Sequence, residues 1–229
     1  MKILFLLLLF IIPLREVENV RLSFPAQSHQ QTIFFDYEND NFSQELNIDD
    51  EKITADLKSV NFIHLNLNFR IFLDKKKLAK LDRNTREIVI GLYDNDITLK
   101  NYFRRISDFL EKSIEYTEEE LPQDEISVLM NRRANCVGFS NLASFLLNCV
   151  GIKNKFAKGF YLMRENGKTI IPVPHKWIEI HLSNGVHFFY DPQRQRFSAY
   201  YIVTKDDVDF RKIRKFTAVL IKKSTKVLN

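Results

Sequence analysis

Two cysteines in 229 residues exclude a disulfide framework. They could not bridge within one helix either, since Cys136 and Cys149 stand thirteen residues apart, about 20 Å along a helix axis. Glycine and proline number six each, which argues against long flexible or proline-rich linkers. Excess charge of one sign is also scarce: 34 basic and 29 acidic residues leave a formal +5, mixed along most of the chain. The exception is Arg211 to Lys226, where seven basic residues occur with no acid among them. Phe216 to Ile221 interleaves there, so this reads as a terminal strand with solvated basic flanks. It is the one feature pointing toward nucleic acid or an acidic surface, and no nucleic-acid partner is expected from it alone.

Long apolar runs are missing except at the start. Ile3 to Ile12 is unbroken, preceded by Met1-Lys2 and closed by Pro13. Ten residues are too few to span a bilayer and suit the core of a signal peptide. No A-x-A pattern follows, and a cut after Ala26 would leave Phe24 at the −3 position. Residues 1–26 are therefore expected to be a leader or a retained N-terminal anchor. The chain is expected to be exported, periplasmic or secreted, with membrane association only through that segment. The whole chain is 45% apolar and 13% aromatic, with 20 Phe, enough for a sizeable core. The length suits one domain with a small appended layer: an N-terminal β segment over 27–94 and a core over 95–229. Oligomeric state is not legible.

Along the chain, Arg15 to Gln31 reads as a polar tether and Thr32 to Tyr37 as a short strand. Ser59 to Leu73 reads as the strongest strand. Ile63, Leu65, Leu67, Phe69, Ile71 and Leu73 share one face, opposite His64, Asn66, Asn68 and Arg70. Asp36-Tyr37-Glu38-Asn39-Asp40 resembles part of a calcium loop, but Asn41 and Asn47 stand where glycine and glutamate are needed. A solvated turn is expected, with no metal or cofactor. Asp74 to Lys80 is a charged turn. Asp94 or Asp96 can cap a helix from about Thr98 to Tyr116, whose Leu99, Tyr102, Phe103, Ile106, Phe109, Leu110 and Ile114 form one stripe.

The chemistry concentrates between Asn135 and Pro192. Phe139, Leu142, Leu146 and Cys149 recur at helical spacing after Cys136, and Gly151 follows as a C′ stop. Cys136 then lies at a helix N-terminus, where free N–H groups and the macrodipole favour a thiolate and could hold an oxyanion. Cys149 extends the apolar face and reads as core. His175, Trp177, Glu179 and His181 alternate with Lys176, Ile178, Ile180 and Leu182 in a strand. A second strand, Val186 to Tyr190, ends at Asp191-Pro192. A two-residue Asn184-Gly185 loop would put Asp191 on the face opposite His175. A three-residue loop, Ser183 to Gly185, pairs Asp191 with Trp177 on the His175 face. The odd loop or a parity-correcting bulge is expected, since nucleophile, base and orienter must meet. Zinc held by Cys136, His175 and Asp191 is a rival use of the same residues.

Cys136-Val137-Gly138-Phe139-Ser140, Gly151-Ile152, Gly159-Phe160-Tyr161, His175-Lys176-Trp177-Ile178-Glu179 and Asp191-Pro192 together resemble the transglutaminase-like superfamily. The resemblance covers about Thr98 to Asp191. Ala134 departs from the usual glycine, and Lys176 stands where a small residue is usual, giving the site a more basic mouth. It implies an α+β, papain-like fold, with the Cys136 helix packed on an antiparallel sheet and a small β layer before it. It also implies roles of nucleophile for Cys136, general base for His175 and orienter for Asp191, on an amide or peptide-type bond. A protease or amidase is preferred over a cross-linking transglutaminase, with a protein or peptide substrate. A non-catalytic binding module that keeps the fold is the alternative from another class.

Overall fold

Period-2 alternation builds most of the sheet. The computed structural model describes residues 15–25, 33–60, 65–165, 168–195, 197–210 and 217–228, so the apolar run of the expected leader lies outside the described residues. The first strand, β1 (Arg15–Pro25), buries Val20, Leu22 and Phe24 and turns Arg21 outward. Then come β2 (Tyr37–Asn39), β3 (Phe42–Ile48) and β4 (Lys52–Val60), the last burying Ile53, Ala55 and Leu57. The helical stretch holds α1 (Lys75–Leu78), α2 (Arg83–Leu92), α3 (Leu99–Ser113), β5 (Glu115–Tyr116), α4 (Glu125–Asn131), β6 (Arg133–Ala134) and α5 (Cys136–Cys149). Strands β7 (Lys153–Arg164), β8 (Thr169–His181), β9 (His187–Tyr190), β10 (Tyr201–Val203) and β11 (Ala218–Leu228) follow.

One mixed-origin sheet results, ordered β10-β7-β8-β11-β1-β4-β3-β2, with β9 also on β8. Thr169 and Ile170 at the start of β8 pair with β11, while Ile178 to His181 pair with β9. The N-terminal strands are thus not a separate layer; they join the later strands through β1 and β11. The sheet curls around an aromatic interior of Phe24, Phe42, Phe160, Trp177, Phe189 and Tyr201. Edge-to-face pairs such as Trp177–Phe189, centroids 5.7 Å apart, each add about 0.5–1.5 kcal/mol beyond burial.

Buried amides stitch the two ends of the sheet. Asn41 donates to the Phe189 carbonyl (2.9 Å) and accepts from the Phe189 N–H (2.8 Å). Gln44 does the same to Val203, at 3.1 and 2.9 Å. On the outer face of β8, Ile178 and Ile180 pack with Leu142 and Leu146 of α5. Tyr102 of α3 donates to the Leu146 carbonyl at 3.0 Å, fixing the second helical layer. The α+β class with a helix on an antiparallel sheet is as expected.

Several local expectations are corrected. Arg15 to Pro25 is no tether: it is an interior strand between β11 and β4, its alternation hidden by Glu16, Glu18 and Arg21. The strand expected over Ser59 to Leu73 is not one. Ser59 and Val60 close β4, residues 61–64 lie outside the described residues, and 65–73 run irregularly with a single bridge, Arg70 to Thr98. Leu67 and Ile71 do reach the helical core, but Phe69 and Phe72 are exposed. Tyr37 begins β2, while Phe34 lies outside the named strands and forms an isolated bridge to Thr204. The charged turn after Asp74 contains α1, capped by Asp74. Thr98, rather than Asp94 or Asp96, caps α3; Asp94 pairs with Arg105 and Asp96 with Arg70.

Candidate active site

The chain is pinned immediately before Cys136. Parallel pairing of β5 with β6 sets Tyr116 beside Ala134, and the Thr117 N–H donates to the Ala134 carbonyl at 2.9 Å. The Asn135 N–H donates to Gln123 Oε1 (3.0 Å), and the Gln123 carbonyl accepts from Asn141 (2.7 Å). The Gln123 amide is thereby spent on the backbone rather than offered to a ligand. Only glycine fits at 138: a Cβ there would lie 2.3 Å from Gln123 Oε1 and 2.8 Å from the Ala134 Cβ. Asn135 caps α5 by accepting from the Val137 N–H at 2.9 Å. Cys136 is the first residue of that helix and is half-buried, whereas Cys149 is sealed in the core.

Strand β8 brings the imidazole. Ser140 donates to the Lys176 carbonyl at 2.9 Å, holding helix and strand together one turn past the thiol. The hairpin has the odd register: Ile178 faces Tyr190, and Leu182 N–H bonds the Val186 carbonyl across Ser183 to Gly185. Continuing that register puts Asp191 opposite Trp177, on the face that carries His175. His175 and Asp191 are both buried, with Nε2 and Oδ2 2.7 Å apart. Tyr201 donates to the same Oδ2 at 2.5 Å, and the Gln193 and Arg194 N–H groups donate to Oδ1 at 3.0 and 3.3 Å. Each carboxylate oxygen therefore has two protein partners, which supports its charge without solvent.

Electrostatics couple the thiol to the ring. Burial pushes the Cys136 thiol up, but its hydrogen bond to His175, the ring's charge and the Lys176 N–H outweigh that and leave it below the ordinary thiol value. Burial likewise opposes a charged His175, yet the bonds to Asp191 and Cys136 prevail and raise it to about 9. Cys149 has no such partner, and burial raises it to about 11. The arrangement therefore biases the pair toward thiolate and imidazolium relative to either group alone. Among the described residues no group of three His, Cys, Asp or Glu is arranged to hold a metal ion.

Three residues around the site, Tyr201, Arg194 and Tyr116, are not singled out by the sequence, and Tyr161 stands there only as part of a motif, without a place beside His175. Tyr201 braces Asp191; Tyr161 lies 6.3 Å, ring to ring, from His175; Arg194 stacks on Tyr161; Tyr116 stands near the thiol and is half exposed. Tyr201 lies in an apolar run whose pairing with β7 no local pattern announces, and Arg194 follows Asp191 through a loop without a motif. The Lys176 ammonium bonds Asn141 at 2.9 Å, lies 3.5 Å over the Phe156 ring and is near enough to Cys136 to interact with its charge.

Residues 87–192 match the family model of the transglutaminase-like superfamily. No curated protein sequence matches the chain. Among solved structures the chain is similar to a candidate cysteine protease from Cytophaga hutchinsonii, with TM-score 0.48 and 11% identity over 94% of this chain and 91% of that one. The periplasmic domain of TgpA from Pseudomonas aeruginosa bound to ethylmercury gives 0.45 and 13%, over 77% and 73%. A TGase gives 0.39 and 16%, over 65% and 43%. The matched stretch runs from within α2 through the Cys136 helix to just past Asp191, and it is this part of the chain that is similar to the transglutaminase-like superfamily.

Proposed function

We propose that the protein is a thiol enzyme that opens an amide or peptide-type bond through an acyl-enzyme. Cys136 Sγ attacks the carbonyl carbon, His175 carries the proton to the leaving amine, and Asp191 holds the ring and its charge. The N–H of Cys136, at the start of α5, is placed to donate to the developing oxyanion. Water then resolves the acyl-enzyme, with His175 as base, which makes the activity that of a protease or amidase. The observation that carries this reading is the buried 2.7 Å His175–Asp191 pair set against a helix-first cysteine. A protein or peptide substrate and export of the chain belong to the same proposal, export resting on the apolar run Ile3 to Ile12 after Lys2. Among the described residues no helix is long and apolar enough to cross a membrane.

The test is reaction with iodoacetamide at neutral pH, followed by peptide mapping, in the wild type, Cys136→Ala and His175→Ala. Rapid labelling confined to Cys136 and dependent on His175 is expected. Equal slow labelling of wild type and His175→Ala overturns the assignment.

A further inference from the structure

The rim beside His175 carries a cation held in place but not neutralised. The Arg194 guanidinium lies 3.5 Å over the Tyr161 ring, and Tyr161 in turn flanks His175. Its backbone is fixed by the aspartate that holds His175, through the Arg194 N–H to Asp191 Oδ1 bond. The side chain is exposed, and among the described residues it makes no ion pair or side-chain hydrogen bond. Stacking by its face leaves the N–H edge of the fork free, the edge that grips a carboxylate in a bidentate manner. Other charges there do not cancel it. Arg133 takes Glu119 at 2.7 Å and lies 3.9 Å from Glu115, and among the described residues no ion pair joins Arg194 to an acid of that stretch, although Glu118 lies near Tyr116. Lys176, near enough to Cys136 to interact with its charge, adds a second positive charge.

We propose that Arg194 is a specificity-determining residue that binds a substrate carboxylate, either an acidic side chain or a free chain terminus, next to the bond that Cys136 attacks. The proposal rests on Cys136 being the nucleophile. A preorganised arginine stacked on an aromatic ring loses little freedom on binding, so its contribution is realised in affinity rather than in reactivity.

Iodoacetate and iodoacetamide test it, since they deliver the same carbon with and without a carboxylate. In both, the sulfur–carbon bond forms as the carbon–iodine bond breaks and iodide leaves. The ratio of the two alkylation rates at Cys136 is expected to fall about tenfold in Arg194→Gln and less in Arg194→Lys, which keeps charge but loses the fork. Lys153→Gln removes the same charge at the far end of β7 and should leave the ratio unchanged. A ratio in Arg194→Gln equal to that of the wild type or of Lys153→Gln overturns the proposal. If iodoacetamide alone reacts no faster with the wild type than with His175→Ala, the nucleophile assignment has failed instead, and this one falls with it. Protection of Cys136 from iodoacetamide by acetyl-Ala-Glu-Ala-amide or by acetyl-Ala-Ala-Ala, against a neutral acetyl-Ala-Ala-Ala-amide baseline, separates side chain from terminus. Protection by neither above that baseline counts against it.

Discussion

Strand β8 carries a histidine beside a carboxylate at its middle, His175, and again at its C-terminal end, His181, and the two places behave oppositely. At His175 the carboxylate comes from the neighbouring strand's exit and is braced by Tyr201 and two backbone N–H groups. At the C-terminal end Glu179, equally buried, is taken by Tyr37 (2.5 Å) and Lys155 (2.9 Å), leaving His181 3.5 Å away. His181 faces His187, centroids 4.3 Å apart, with no thiol nearby among the described residues. Burial lowers His181 and Glu179 does not fully offset it, whereas His175 rises to about 9. Residue types alone therefore do not make a site. What differs is whether the carboxylate is reserved for the ring, and whether the ring's other nitrogen meets a nucleophile.

The sharpest break of this comparison is His175→Ala against His181→Ala. The first should slow iodoacetamide alkylation of Cys136 at pH 7 by roughly a thousandfold, the order expected when a thiol loses its paired base; the second should leave it unchanged. Thiolate absorbance followed against pH gives the reason. In the wild type it should be present below the ordinary thiol range near 8.5. In His175→Ala burial is opposed by the Lys176 N–H without the ring, so it should appear at higher pH than in the wild type.

Asp191→Asn comes next, with alkylation at pH 7 slowed by roughly ten- to a hundredfold as His175 loses the partner that keeps it charged. Tyr201→Phe leaves Asp191 three of its four donors and should cost only a few-fold. The distal end is probed by Tyr37→Phe, expected to leave labelling intact while lowering unfolding free energy by about 1–2 kcal/mol in denaturant titration. Burial raises Glu179, but Tyr37 and Lys155 outweigh it and hold its carboxyl below the ordinary value. Its contribution is therefore present above the unfolded carboxylate pKa and is lost as pH falls through the folded one. The acid midpoint of Tyr37→Phe should lie at higher pH than that of the wild type. Unchanged acid stability would show that the two places on β8 are more alike than their contacts suggest.

The site was more legible than the frame around it. Cys136, Gly151, the odd hairpin loop and Asp191 could be placed because helix starts, stops and strand parity are local rules with few solutions. Strand β1 was missed because charged residues interrupt its alternation and its partners, β4 and β11, lie far along the chain. The strand expected over Ser59 to Leu73 failed because alternation alone cannot supply a neighbour to pair with: Leu67 N–H turns back to Leu65, while the Leu67 and Phe69 carbonyls accept from Lys100 and Leu99. Tyr201 and Arg194 depend on tertiary placement that no short window encodes.

Strands β1 and β11 pair from Arg15 with Leu228 to Ser23 with Val219, and β11 also borders β8. A nascent polypeptide lacking β11 has two open strand edges, one on β1 and one on β8. Synthesis must therefore run almost to residue 228 before both edges are covered and the N-terminal strands join the later ones in one sheet.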